Sequence, residues 1–218
     1  MIPEKYNWFS NSPKRIGEYK MLYNTINDGH DPKKIVQSCD TRWLSVAPAL
    51  RRIDTQHLEL KVHFGVARNS EKCYTAEILY EMYNDRANVV YIKFLLPILK
   101  EVERVNFSFE SNESDPTVLL DDITLLIKFL VTKITLTAAN VDPLDGNIDN
   151  ALDPKPYLGY QFETEMGEMA RNGYPADREA ALRSRCINFL RHLISQLRQR
   201  LPDNVKILQK IDKSIYLY

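Results

Sequence analysis

Residues 39–64 read CDTRWLSVAPALRRIDTQHLELKVHF, and their spacing decides the fold class. From Val46 onward the stripe positions fall at Val46, Leu50, Ile53, His57, Leu60 and Phe64. Alternating steps of four and three keep side chains on one face of a helix, whereas a strand would need steps of two. Pro48 has no amide hydrogen, so it fits only near the first turn or at a kink. Ser45 is then the expected cap, with a helix running to about Ala67. The polar lead-in delivers Arg42 and Trp43 side by side to the start of that helix. A guanidinium can grip phosphate and an indole can stack on a base, so the pair suits nucleic acid. An indole at a helix entry can equally pack into a core, and both roles stand open.

The rest of the chain repeats the helical pattern. Ser12-Pro13 offers a cap and a first-turn proline, followed by Ile16, Tyr19, Leu22, Tyr23 and Ile26 until Gly29. Lys34-Ile35-Val36-Gln37 is the one candidate strand. A third helix is expected over Glu71 to Tyr83. Asp85 caps a fourth, burying Phe94, Ile98, Val102, Val105 and Phe109 and bent at Pro97. Asp115-Pro116 opens a fifth with Leu119, Ile123, Leu126, Leu130 and Ile134 on its stripe. Residues 137–160 lose all periodicity and fill with Pro, Asp, Asn and Gly, as a functional, mobile or boundary segment does. Helical spacing returns at Phe162, Met166 and Met169, and again from Ala176 to Leu201 with Leu182, Cys186, Phe189, Leu193 and Leu197 inward. Pro202 stops that helix, and Asp203 can cap a short closing one through Ile211. The expected fold class is mostly α.

Composition narrows the function classes. At 218 residues the chain can bury a substantial core. Its 29 basic residues equal its 29 acidic ones, so no global field draws it to a polyanion and any nucleic-acid contact has to be local. The amino end carries no apolar run suited to a signal peptide, which points away from secretion. The most apolar pieces, Phe94 to Leu99 and Leu125 to Val131, fall far short of the ~20 residues that span a bilayer, so no membrane partner is expected. Cys39, Cys73 and Cys186 are scattered and odd in number, which argues against a disulfide framework or a cysteine-built zinc site and for the reducing cytosol or nucleus.

Candidate chemistry is sparse. His57 and His63 are six apart, not the four that places two imidazoles on one helical face for zinc, and His57 lies on the apolar stripe as a satisfied core histidine would. Asp142, Asp145, Gly146, Asn147, Asp149 and Asp153 superficially resemble a calcium loop. Aligning Gly146 with that loop's glycine puts Val141, Pro143 and Leu152 on ligand positions, so a solvated loop is expected instead. Asp121 and Asp122 point roughly 100° apart on a helix and do not share an ion easily. Arg183, Arg191 and Arg198 form a row along one shoulder of the last long helix. Such a row can track phosphates or pair with acids of its own chain, and zero net charge favours pairing. No catalytic residue, metal ligand or cofactor loop stands out, and no cofactor is expected.

Several of these segments, in order, resemble the hAT family of DNA transposases. Phe9-Ser10-Asn11-Ser12-Pro13-Lys14-Arg15 is similar to the helix opening that precedes that family's Thr-Arg-Trp element, and Thr41-Arg42-Trp43-Leu44-Ser45 resembles the element itself. Leu60 to Phe64, Tyr83-Asn84-Asp85 with Asn88 and Tyr91, and Phe94 to Leu99 resemble the helical stretch that follows; Arg200-Leu201-Pro202-Asp203-Asn204 resembles a later piece. The resemblance implies a ribonuclease H-like core interrupted by a large helical insertion, with Trp43 stacking on an unpaired base and Arg42 beside it on the backbone. On that basis residues 1–45 are a remnant of the core, 46–136 and 161–218 the two parts of the helical domain, and 137–160 the linker. The family's first two catalytic aspartates lie farther upstream of the element than the residues available here, and its catalytic glutamate lies beyond the carboxy end. Two-metal phosphoryl chemistry needs carboxylates converging on ions about 4 Å apart. The expectation is a transposase-derived, non-catalytic fragment with weak local DNA contact through Arg42, Trp43, Arg183, Arg191 and Arg198. The alternatives are a helical module for self-association or a partner protein, and part of an active transposase if the natural chain is longer.

Overall fold

A computed structural model describes residues 2–36, 43–110, 116–139, 141–144 and 147–201, with backbone alone for 43–45 and 116–117. Among these residues the protein is mostly helical, with nine α-helices and no strand. The helices are α1 (Ile2–Ser10), α2 (Pro13–Ile26), α3 (Trp43–Thr55), α4 (His57–Glu71), α5 (Tyr74–Asn84), α6 (Arg86–Glu110), α7 (Pro116–Thr132), α8 (Tyr160–Arg171) and α9 (Ala176–Arg198). None of them is long and apolar enough to cross a membrane. The chain divides into two compact units, Met1–Leu99 and Lys100–Tyr218. The aperiodic segment 137–160 therefore lies inside the second unit.

In the first unit α4 and α5 pack closely, α2 and α3 lie against α4, and α1 touches α2 and α5. The α2 start follows its sequence signal: the Ser12 hydroxyl accepts the Arg15 amide, and Pro13 occupies the first turn where no amide is needed. Gly29, with φ of 85°, takes the left-handed conformation that releases the chain from α2. Gly65 of α4 lets the Tyr80 ring of α5 approach, since a Cβ there would sit 3.3 Å from the ring.

Three expectations for this unit need correction. Residues 34–36 are irregular rather than strand, and Gln37 lies outside the described residues. The single helix expected from Ser45 to Ala67 is two helices broken at Gln56, and the first already starts at Trp43. The break has a cause in the side chain. Buried Gln56 accepts the Tyr19 hydroxyl at 3.2 Å and donates to the Lys33 carbonyl at 3.3 Å, and its backbone leaves helical angles (φ −121°, ψ 24°). The hydrogen-bond ladder still crosses it, from the Leu60 amide to the Gln56 carbonyl, so the apolar spacing runs on undisturbed. The third helix begins at Tyr74 rather than Glu71, because Lys72 turns left-handed (φ 49°) and ends α4. Helix α1 has no counterpart in the sequence reading, although Lys5, Trp8 and Phe9 share its buried face.

Asp85 opens α6 as expected, its carboxylate accepting the Ala87 amide at 3.0 Å. The helix continues through Pro97, with Phe94, Ile98, Val102 and Val105 buried; Phe109 is exposed instead. In the second unit α7 packs on α9. Leu126, Ile127, Leu130, Val131 and Ile134 are buried on one side, and Leu182, Cys186, Leu190, Leu193, Ile194 and Leu197 on the other. Phe162, Met166 and Met169 of α8 join this core. The aperiodic segment is held at its base by an isolated bridge between Thr135 and Leu152. The Leu136 amide meets the Ala151 carbonyl there, and the Asp153 amide meets the Ile134 carbonyl, each at 2.9 Å. Helix α9 ends at Arg198, short of Leu201, and the expected closing helix over 203–211 and the Asp115 cap lie outside the described residues.

Candidate functional site

Of the five candidate contacts, Arg42 lies outside the described residues, and Trp43 is placed only as the first residue of α3. The three arginines of α9 are placed in full, and each has partners within the second unit. Arg183 donates to Glu163 at 2.7 and 3.0 Å and to Glu179 at 2.8 Å, while its guanidinium lies over the Phe162 ring at 5.2 Å. Burial pushes the Glu163 carboxyl up, but the Arg183 guanidinium and the Leu158 amide more than reverse it, leaving the acid below its ordinary range. The same contact with Glu163 raises the Arg183 pKa. Arg191 meets Asp149 at 2.6 Å, and Arg198 donates twice to the Pro143 carbonyl, at 2.6 and 2.9 Å. Arg191 and Arg198 also line a shallow polar groove of about 690 Å³ with His192 and Ser195. The row therefore fastens α9 to α8 and to Pro143 and Asp149. To hold phosphate, each arginine would first have to leave the partner it has.

The acidic loop has a local explanation as well. Asp142, Asn147 and Asp153 each accept the amide two residues on, at 2.9, 2.9 and 2.8 Å, the turn-forming habit of these side chains. Asp122 is held by Arg104 at 3.0 Å. Among the described residues no three of His, Cys, Asp and Glu gather where they could hold a metal ion.

The first unit contains a polar seam that spacing alone did not reveal. Lys5, Gln56, Glu59 and His63 are buried there. His63 accepts the Trp8 indole N–H through Nε2 at 3.3 Å and stacks on Phe9 with ring centres 5.3 Å apart. Burial drives its pKa down to about 4, so the ring is neutral at pH 7. Glu59 accepts from Asn27 at 2.9 Å. Lys5 is 0% exposed and its Nζ has no hydrogen-bond partner among the described residues; burial, reinforced by the Arg52 charge, lowers its pKa to about 8. The signal for His63 was present, since Leu60, His63, Phe64 and Ala67 follow helical spacing on the inner face of α4. His57 is half-buried, tilted 5.4 Å from the Tyr83 ring and hydrogen-bonded to the Tyr83 backbone, while its Nε2 has no partner among the described residues, so the core histidine expected is satisfied on one nitrogen only. Cys186 is buried, which pushes its thiol up to about 12 and makes it a poor nucleophile. Compared with known protein families, curated proteins and solved structures, the chain matches none.

Proposed function

We propose that this chain is a non-catalytic helical interaction module of hAT-transposase ancestry that associates with a second copy of itself through α4. The observation that carries it is that α4 is apolar on two opposite faces. Leu60, Phe64 and Ala67 face the core, while Leu58, Val62 and Val66 remain 60%, 36% and 58% exposed. The outer three stand four residues apart, so they form one aliphatic ridge along the helix. A surface helix normally turns charge to water on that side, and an aliphatic ridge there marks a contact surface. Two such ridges packed on each other give a small interface, which fits weak, micromolar dimerisation.

The internal partners of Arg183, Arg191 and Arg198 support a partner-binding role over phosphate tracking. In this ancestry residues 1–45 correspond to the edge of the ribonuclease H-like core, 46–136 and 161–218 to the inserted helical domain and 137–160 to its linker, in a reducing compartment. A second reading keeps weak local DNA contact at Arg42 and Trp43, favoured by the position of Trp43 at the first residue of α3, since a helix N-terminus attracts phosphate.

Sedimentation velocity of the full chain over rising concentration tests the proposal. A monomer–dimer equilibrium is expected, with Leu58→Asp plus Val66→Asp shifting it to monomer at unchanged melting temperature. A monomer at every concentration overturns it. A gel shift with hairpin DNA that is salt-sensitive and abolished by Trp43→Ala would install the DNA reading in its place.

A further inference from the structure

A second surface of the first unit, on the outer side of Phe9 and Tyr19, has the character of a ligand site. Between α1, α2 and the irregular segment after α2 lies a groove of about 350 Å³, within the ~300–1,000 Å³ range of small-molecule sites. Phe9, Ile16, Tyr19 and Ile35 line it, and Lys33 and Lys34 stand at its rim. Two of the hydroxyls in the lining are already occupied. The Tyr19 hydroxyl donates to Gln56 at 3.2 Å, and the Ser10 hydroxyl donates to the Asn7 carbonyl at 3.3 Å. The floor therefore offers mainly apolar contact, with the Tyr6 hydroxyl as a further polar atom of the lining.

The rim carries the charge. Lys20 is held by Asp31 at 2.9 Å, so that pair contributes no net charge. Lys33 and Lys34 are exposed and make no ion pair among the described residues. Among the described residues they stand as two unneutralised ammonium groups beside an apolar trough. An apolar floor under a cationic edge selects an apolar body that ends in an anionic head.

We infer that this groove binds a small amphipathic anion of the medium-chain fatty-acid class, its chain over Ile16 and Ile35 and its carboxylate between Lys33 and Lys34. The volume suits one chain rather than a folded segment of a partner, and the edge is too narrow in charge to hold a polyanion by electrostatics alone. The site lies on different helices from the α4 ridge, so binding and self-association fail or succeed independently.

Isothermal titration of the full chain with monomeric dodecanoate reads it directly. Saturable binding at one site per chain is expected. Lys33→Glu plus Lys34→Glu weakens it on the order of tenfold, as loss and reversal of two exposed charges does. Dodecyltrimethylammonium, with the same tail and the opposite head, binds at least ~10-fold more weakly than dodecanoate. Ile16→Asp, at a position 47% exposed, abolishes binding with the melting temperature preserved. Leu58→Asp plus Val66→Asp leaves binding intact. The inference is overturned by non-saturable uptake, by indifference to the lysine and Ile16 variants, by equal binding of the cationic detergent, or by binding only to phosphatidylglycerol vesicles.

Discussion

In the first unit Lys5, Gln56, Glu59 and His63 lie in the interior, whereas in the second only Thr124 is a buried polar side chain among the described residues, and Arg183, Arg191 and Arg198 sit at the rim with acids or a carbonyl. Sequence composition is the same mixture of charge and apolar side chains in both. The difference lies in where the charge is solved. A buried titratable group changes its protonation equilibrium on folding, so the first unit should be sensitive to pH. Rim pairs keep their charges and are screened by ions, so the second should respond to salt instead.

The largest expected effect is the acid response. His63 titrates at about 4 in the folded state and near 6.5 unfolded, so between those values only the unfolded chain takes the proton. Stability is complete above about pH 6.5 and falls as pH drops towards 4, by on the order of 3 kcal/mol. Hydrogen exchange of α4 amides against those of α9 should locate the loss in the first unit. His63→Gln, which keeps an acceptor for Trp8, should flatten it; an unchanged acid profile in that variant would remove His63 from the explanation.

Next comes Lys5. With a folded pKa of about 8 against 10.5 unfolded, the folded chain gives up its proton first as pH rises. The Lys5 contribution to stability should therefore climb between about pH 8 and 10, opposed above about pH 9 by ionisation of the Cys186 thiol in the unfolded chain. Lys5→Met should raise stability at pH 7 by about 2 kcal/mol and erase that climb, since it replaces a buried unpaired amine by an apolar side chain of similar length. Urea denaturation at both pH values measures it, and a destabilised variant would show that the amine has a partner.

The rim contrast is smaller. Arg183→Met leaves Glu163 and Glu179 facing each other and should cost about 1–2 kcal/mol. Arg191→Ala removes a pair whose members are 41% and 50% exposed and should cost less than ~1 kcal/mol. If the two losses were equal in urea denaturation, or if high salt left both unchanged, the division between interior and rim would not hold.

Local punctuation carried most of the fold into the sequence. Ser12-Pro13, Gly29 and Asp85 mark chain reversals or helix starts by their own backbone chemistry, and they stand where their residue types place them. The break at Gln56 was hidden because its cause is Tyr19, 37 residues away, while the stripe of apolar positions runs across it. Helix α1 was hidden because a buried lysine on its inner face blurs the amphipathic pattern. The arginine row was legible as a row, but its partners Glu163 and Asp149 are 20 and 42 residues from the arginines they hold. No spacing rule reaches that far. The Phe9-to-Arg15 stretch gains a physical role too, since the Arg15 guanidinium lies 3.7 Å over the Trp8 ring and pairs with Glu71 at 2.6 Å.

Cys186 sits fully enclosed on the inner side of α9. A water-borne alkylating reagent can meet that sulfur only during moments when the helix lifts from its neighbours. Its labelling rate is therefore a clock for breathing of the second unit, present in the natural chain without any engineered probe.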